Sequence, residues 1–157
     1  MASPVLHSPG AARDLQHYLH AAIPLSAAMG MQVREASPQG VLLWAPLAPN
    51  INHSQTVFGG SGVVLATLSA WALLHLRLQA AQTPAQLVIQ RSAMEYERPI
   101  SGDFAARCEF SDELAWRRFQ ALYQRRGRAR LTLHAQLCFG PHVMGRFVGD
   151  FVALREA

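Results

Sequence analysis

Between Glu35 and Arg77 the chain carries no Asp, Glu, Lys or Arg, a run of 41 residues from Ala36 to Leu76. Half of the residues are hydrophobic and 15% are charged, which excludes a disordered chain. A chain that stays in solution keeps so long an uncharged stretch only by burying much of it. The second half of the run, Ser61 to about Ala81, has apolar residues on every side of a helical wheel. Such a helix should be surrounded by protein and roughly 30 Å long. Thr67, Ser69 and His75 interrupt it and Arg77 follows. A membrane span needs about 20 mostly apolar residues, so a buried core helix is expected instead.

Around that helix the pattern is mostly β. Ala11 to Ile23 reads as a short amphipathic helix stopped by Pro24. Met31–Ala36 and Val41–Leu47 flank a Ser37-Pro38-Gln39-Gly40 turn, a hairpin signal. After Thr83-Pro84 four strands are expected, at Leu87–Arg98, Phe104–Phe110, Arg128–Phe139 and Val143–Leu154. Asp112 or Ser111 caps a helical insert over about 113–124, and Gly127 ends it. The expectation is an α+β domain over residues 11–157, an antiparallel sheet wrapped around a central helix at about 60–81. Residues 1–10 read as a flexible tail, with no secretory signal. Cys108 and Cys138 lack a CxxC partner and a metal-spaced His, so two reduced thiols in a cytoplasmic protein are expected, with no metal.

The uncharged loop Pro49–Ser61 is where chemistry is expected. Gly59 and Gly60 at the start of the helix let a ligand approach the backbone. The first N–H groups of a helix have no internal partner, and the helix dipole adds positive charge there. That combination suits a carbonyl oxygen becoming an oxyanion. The alternative is a plain turn with Ser61 as helix cap.

Asn52, Thr56, Gly59 and Gly60 resemble the N-x-x-x-T-x-H-G-G loop of hotdog-fold acyl-CoA thioesterases. The stretch Leu47–Asn52, then Thr56–Ser61, Ala66–Leu68 and Trp71, is similar to the thioesterase domain of the YiiD C-terminal type. Tyr96-Glu97-Arg98-Pro99-Ile100 resembles the Tyr-x-Arg-Pro strand end of hotdog enzymes. The resemblance covers about Leu25 to Leu154 and implies a hotdog fold, a homodimer or larger homo-oligomer, and hydrolysis of acyl-CoA without a cofactor. Two positions differ from that pattern: Phe58 stands where His is common, and Thr67 where Asp or Glu is common.

Catalytic roles are expected for Asn52, Gly59, Gly60 and Thr67, with Asn50, His53, Phe58, Ser61, Tyr96 and Arg98 around the substrate. Gly60 N–H, with Gly59, would hold the oxyanion. Asn52 would orient water or brace the loop, and Asn50 would brace it. His53 would be a base or a solvent-facing side chain. Thr67 would position water or bond back to its own helix. His75 reads as a core histidine. Glu95, Glu97 and Asp103 would be exposed strand charges or carboxylates supplied by a partner subunit.

All 14 basic residues are Arg, and the net charge is +4. Arg117, Arg118, Arg125, Arg126, Arg128 and Arg130 form a basic block suited to coenzyme A phosphates or to a solvated face. Trp116, Phe119, Leu122 and Tyr123 are spaced like a packing face, so nucleic acid is not expected. Two readings of function follow: an acyl-CoA hydrolase, or a non-catalytic acyl-CoA binding module. A dehydratase would need a His and carboxylate pair that the loop does not supply.

Overall fold

The computed structural model describes residues 9–157. The tail expected for residues 1–10 lies outside them up to residue 8, and Pro9 and Gly10 already belong to the first helix. In chain order the elements are α1 (Pro9–Ala22), α2 (Pro24–Ala28), β1 (Gln32–Ser37), β2 (Gly40–Ala45), a 3-10 turn (Ala48–Asn50) and α3 (Gly59–Ala80). There follow β3 (Gln86–Tyr96), β4 (Phe104–Glu109), α4 (Glu113–Arg126), β5 (Arg128–Phe139) and β6 (His142–Leu154).

Most of these follow from local chemistry. Asp112 accepts a hydrogen bond from Ala115 N at 2.9 Å and opens α4; Gly127, at φ +66°, closes it by donating to Tyr123 O at 2.7 Å. Trp116, Phe119 and Tyr123 form its buried face, and the six arginines of the block are exposed. Pro24 does end α1, but it also starts α2, because a proline has no N–H to lose in a first helical turn.

The sheet order is β1-β2-β4-β5-β6-β3, with every neighbouring pair antiparallel. β5 and β6 run the full length of the sheet, and their inward residues, among them Leu133, Leu137, Phe147 and Phe151, are buried. α3 lies in the hollow and touches all six strands. Leu65, Ala66, Ala70, Ala72, Leu73 and Leu74 are fully buried there, which accounts for the missing charge of the run. Each buried leucine contributes roughly 1.5–3 kcal/mol relative to exposure. This is the hotdog arrangement.

α3 is not enclosed on every side. Val64, Thr67, Trp71 and His75, one helical stripe, are only half-buried. Tyr18 of α1 covers its far end, stacking on His75 at 5.0 Å, and His75 stacks in turn on Trp71 at 4.9 Å. Burial holds the His75 pKa below its usual range. Arg77, the first charge after the run, is itself buried. Its guanidinium lies between the rings of Phe110 and Trp116, 4.7 and 4.6 Å from their centroids. It donates to Pro38 O and to Glu113, each at 2.9 Å.

β3 stands apart from the body. Among the described residues it pairs with β6 alone and no strand lies along its outer edge, and nearly all its side chains are exposed.

Candidate active site

The loop between the 3-10 turn and α3 is closed by its own polar side chains. Asn50 is buried, and its Nδ2 donates to Met29 O at 2.9 Å and Pro46 O at 2.7 Å. Its carbonyl accepts from Phe58 N at 2.7 Å, so Asn50 ties both ends of the loop to α2 and β2. It is the expected brace.

Asn52 organises the tip. Its Oδ1 accepts from Ser54 N at 2.8 Å and Thr56 N at 3.1 Å, and its Nδ2 donates to Thr56 Oγ1 at 2.9 Å and Val57 O at 3.4 Å. The amide is committed to the loop on both sides, the Asn-turn behaviour expected as the alternative to orienting water. Val57 N then donates to Ile100 O at 2.8 Å, which docks the loop beside the chain that leaves β3.

The helix opens earlier than Ser61. Phe58 is the N-cap residue, and no side chain caps it, so the alternative reading of Ser61 as cap is corrected: Ser61 is the third residue of α3. Gly62 N donates to Phe58 O at 3.1 Å, whereas the N–H groups of Gly59, Gly60 and Ser61 meet no acceptor among the described residues. The Phe58 ring folds over Gly60, where an added Cβ would meet it at 2.4 Å. Phe58 is 58% exposed, so its ring can swing aside and does not by itself require glycine at position 60.

A cleft of about 330 Å³ opens beside this helix start. Asn52, Thr56, Phe58 and Gly59 form one wall, and Tyr96, Glu97 and Arg98 the other, above Leu137 and Met144. Tyr96 reaches across and donates to Gly59 O at 2.6 Å. Burial raises its pKa above the usual tyrosine value. Glu97 is the one acidic residue in the lining; Arg146 Nε holds its Oε1 at 2.7 Å. Arg98 forms no ion pair among the described residues.

The structure thus gathers Asn52, Phe58, Gly59, Tyr96 and Arg98 in one cleft, and places Asn50, Gly60 and Ser61 in an adjoining groove. Two expected residues are elsewhere. His53 is exposed at the loop tip and lines neither space. Thr67 is two turns into α3, outside both, and its hydroxyl donates to Val63 O at 2.7 Å. Asp103 Oδ1 accepts from Leu47 N at 2.9 Å, a structural contact. Glu97, read as an exposed charge or a partner's carboxylate, lines the cleft of its own chain. Thr56 joins the lining too; its place in the Asn-x-x-x-Thr spacing is the signal that marks it. Arg126, Arg128 and Arg130 line a separate cleft that shares no residue with this one. No three His, Cys, Asp or Glu side chains gather to hold a metal among the described residues.

Chemically, the cleft and the adjoining groove together offer unsatisfied N–H groups at a positive helix end, and the cleft adds a carboxylate and an arginine. A polarised carbonyl, a proton to be removed and a negative charge each find a complement.

Solved structures share this architecture. A protein of unknown function from Chlorobaculum tepidum is 28% identical, with a TM-score of 0.86, covering 92% of this chain and 94% of its own. The putative thioesterase from Shewanella oneidensis is 24% identical, with a TM-score of 0.82 and coverage of 94% and 99%. A probable thioesterase from Pseudomonas aeruginosa is 22% identical, with a TM-score of 0.82 and coverage of 96% and 99%. The family of putative thioesterases of the yiiD C-terminal type matches residues 12–155. With nearly its whole length matched and the hotdog sheet and helix in place, the chain belongs to that thioesterase family.

Proposed function

We propose that the protein hydrolyses acyl thioesters of coenzyme A. The observation that carries this is the opening of α3, where the free N–H group of Gly59 borders the cleft that also holds Tyr96, Glu97 and Arg98, and that of Gly60 borders the groove beside it. The thioester carbonyl oxygen accepts from Gly60 N–H, with Gly59 beside it, and the oxyanion is stabilised there. Glu97 takes a proton from water as the water oxygen bonds to the carbonyl carbon. The tetrahedral intermediate collapses, the C–S bond breaks, and Glu97 returns its proton to the departing sulfur, so that coenzyme A leaves as the thiol and the carboxylate is regenerated. Asn52 and Asn50 hold the loop in shape, and Tyr96 fixes the first turn of α3. Arg98 suits a phosphate or carboxylate of the thiol half.

The working unit in this reading is a homodimer in which two copies pair along β3. The bare outer edge of that strand, with Val88 and Ile89 exposed, supports it. Light scattering at micromolar concentration should give twice the chain mass; a monomer would count against the pairing.

Free-thiol release from a panel of short, medium and long acyl-CoAs tests the activity. Release above buffer for at least one is expected, and none for any removes the hydrolase reading. A second reading, an acyl-CoA binding module, is favoured by the Asn52 amide and Thr67 hydroxyl, both bonded within the protein. Native mass spectrometry would then show intact acyl-CoA on the protein after hours of incubation.

A further inference from the structure

A second hollow adjoins the polar cleft across the Phe58 ring. It lies between α2 and the start of α3, has a volume of about 310 Å³, and is walled by Leu25, Ala28, Met29, Pro49 and Val64, with Gly60 and Ser61 at its inner end. No charged side chain lines it among the described residues. Asn50 is also in its wall, but both Nδ2 hydrogens are already bonded to backbone carbonyls. Leu25 and Phe58 at its margins are 54% and 58% exposed, large apolar side chains left in water. Adjacent exposed apolar residues around a groove mark a place where apolar surface is to be covered.

The occupant is set by what the groove joins. Phe58 lines both spaces, so the two are divided by one ring. Glu97 and Arg98 belong only to the first. An acyl thioester has the same division: a polar thiol half, an apolar acyl half, and one carbonyl between them. With that carbonyl at Gly60, the polar half has ionic partners only in the first cleft, and the aliphatic half has an uncharged wall only in the second.

We propose that the α2–α3 groove is the acyl-chain subsite, taking an uncharged aliphatic chain, with Phe58 as its partition from the polar cleft. This rests on the thioester reading above, but its test does not require turnover.

S-alkyl coenzyme A thioethers have no carbonyl to hydrolyse. Calorimetry compares ethyl-CoA with octyl-CoA on the wild-type chain, on Ala28→Phe, which fills the groove, and on Leu25→Asp, which charges it. Both positions are exposed, so both variants should fold; circular dichroism checks this. Each methylene withdrawn from water tightens binding by roughly three- to four-fold. Octyl-CoA should therefore bind the wild type at least about thirty-fold tighter than ethyl-CoA, and both variants should shrink that ratio to within about three-fold. Equal affinities in the wild type, or a ratio that survives both substitutions, would overturn the assignment. A ratio that behaves as expected without thiol release from any member of the acyl-CoA panel would remove the hydrolase reading and leave the groove assignment standing.

Discussion

Tyr96 at the end of β3 donates its hydroxyl hydrogen to the carbonyl of Gly59, the first residue of α3, at 2.6 Å. The two are 37 positions apart, and the bond joins the edge strand to the first turn of α3, whose leading N–H groups meet no acceptor among the described residues. Tyr96→Phe removes it without changing the ring. Stability should fall by about 1 kcal/mol, and kcat/KM by several-fold through a looser helix start. Burial raises this hydroxyl's pKa in the folded state, so folding favours its protonated form. That stabilisation is fully present below the unfolded value near 10 and fades as pH rises through the folded one. Urea titrations at pH 8 and at pH 10.5 check it: the wild type should lose more on going to high pH than the variant does.

Glu97 is the carboxylate of the polar cleft, and Arg146 holds one of its oxygens at 2.7 Å. Glu97→Gln keeps the shape and cannot accept a proton. The expected loss in kcat is about 10²- to 10⁴-fold, with KM little changed. Thiol release over a range of acyl-CoA concentrations measures both, and a kcat within about two-fold of the wild type would remove Glu97 from the mechanism.

Asn50 and Asn52 look alike in the sequence and differ in the fold. Asn50→Ala leaves the carbonyls of Met29 and Pro46 without their buried donor, and should lower stability by about 2–3 kcal/mol. Asn52 lies in a more exposed tip, so Asn52→Ala should cost about 1 kcal/mol and act mainly on rate. Thermal denaturation and thiol release, measured on both, separate the two effects.

Features set by neighbouring residues are legible in the sequence alone: the Asp112 and Gly127 ends of α4, the alternation of β5, and the burial of the charge-free run. The loop's glycines and asparagines are legible for the same reason as the features that shape the start of α3 and the turn before it. Contacts across the chain are not. Nothing around Tyr96 says that it meets Gly59, and nothing around Glu97 says which chain's cleft it faces. Both depend on β3 crossing to the far edge of the sheet, a matter of strand order. Thr67 illustrates the converse: its spacing from the glycines is that of a catalytic residue, but its hydroxyl is bonded to the turn beneath it.

The two cysteines should differ in reactivity. Burial, with the negative charge of Glu109 adding to it, pushes the Cys108 thiol up to about 12. Burial also raises Cys138, but that thiol is half-buried and Arg107 offsets part of the effect. A thiol reagent at pH 8 should label Cys138 in the native protein and Cys108 only on unfolding. Peptide mapping after labelling checks the order, and prompt native labelling of Cys108 would contradict its placement.

Arg77 closes the uncharged run and locks three elements together. Its guanidinium is held between Phe110 and Trp116, bonds to Pro38 O in the β1–β2 turn, and pairs with Glu113 at the start of α4. Its Nε is buried without a partner. The value of the residue is therefore in its flat, stacked shape more than in its charge pair, because Glu113 is largely exposed and such pairs contribute roughly 0–1 kcal/mol. Arg77→Ala opens a cavity between two rings and frees a turn carbonyl, and should cost about 2–4 kcal/mol. Arg77→Lys keeps the charge but not the plane, and should recover less than half of that loss. Glu113→Gln should cost under about 1 kcal/mol. Urea denaturation of the three variants decides between shape and charge: a Glu113→Gln loss equal to that of Arg77→Ala would show that the ion pair, not the stacking, holds α4 to the central helix.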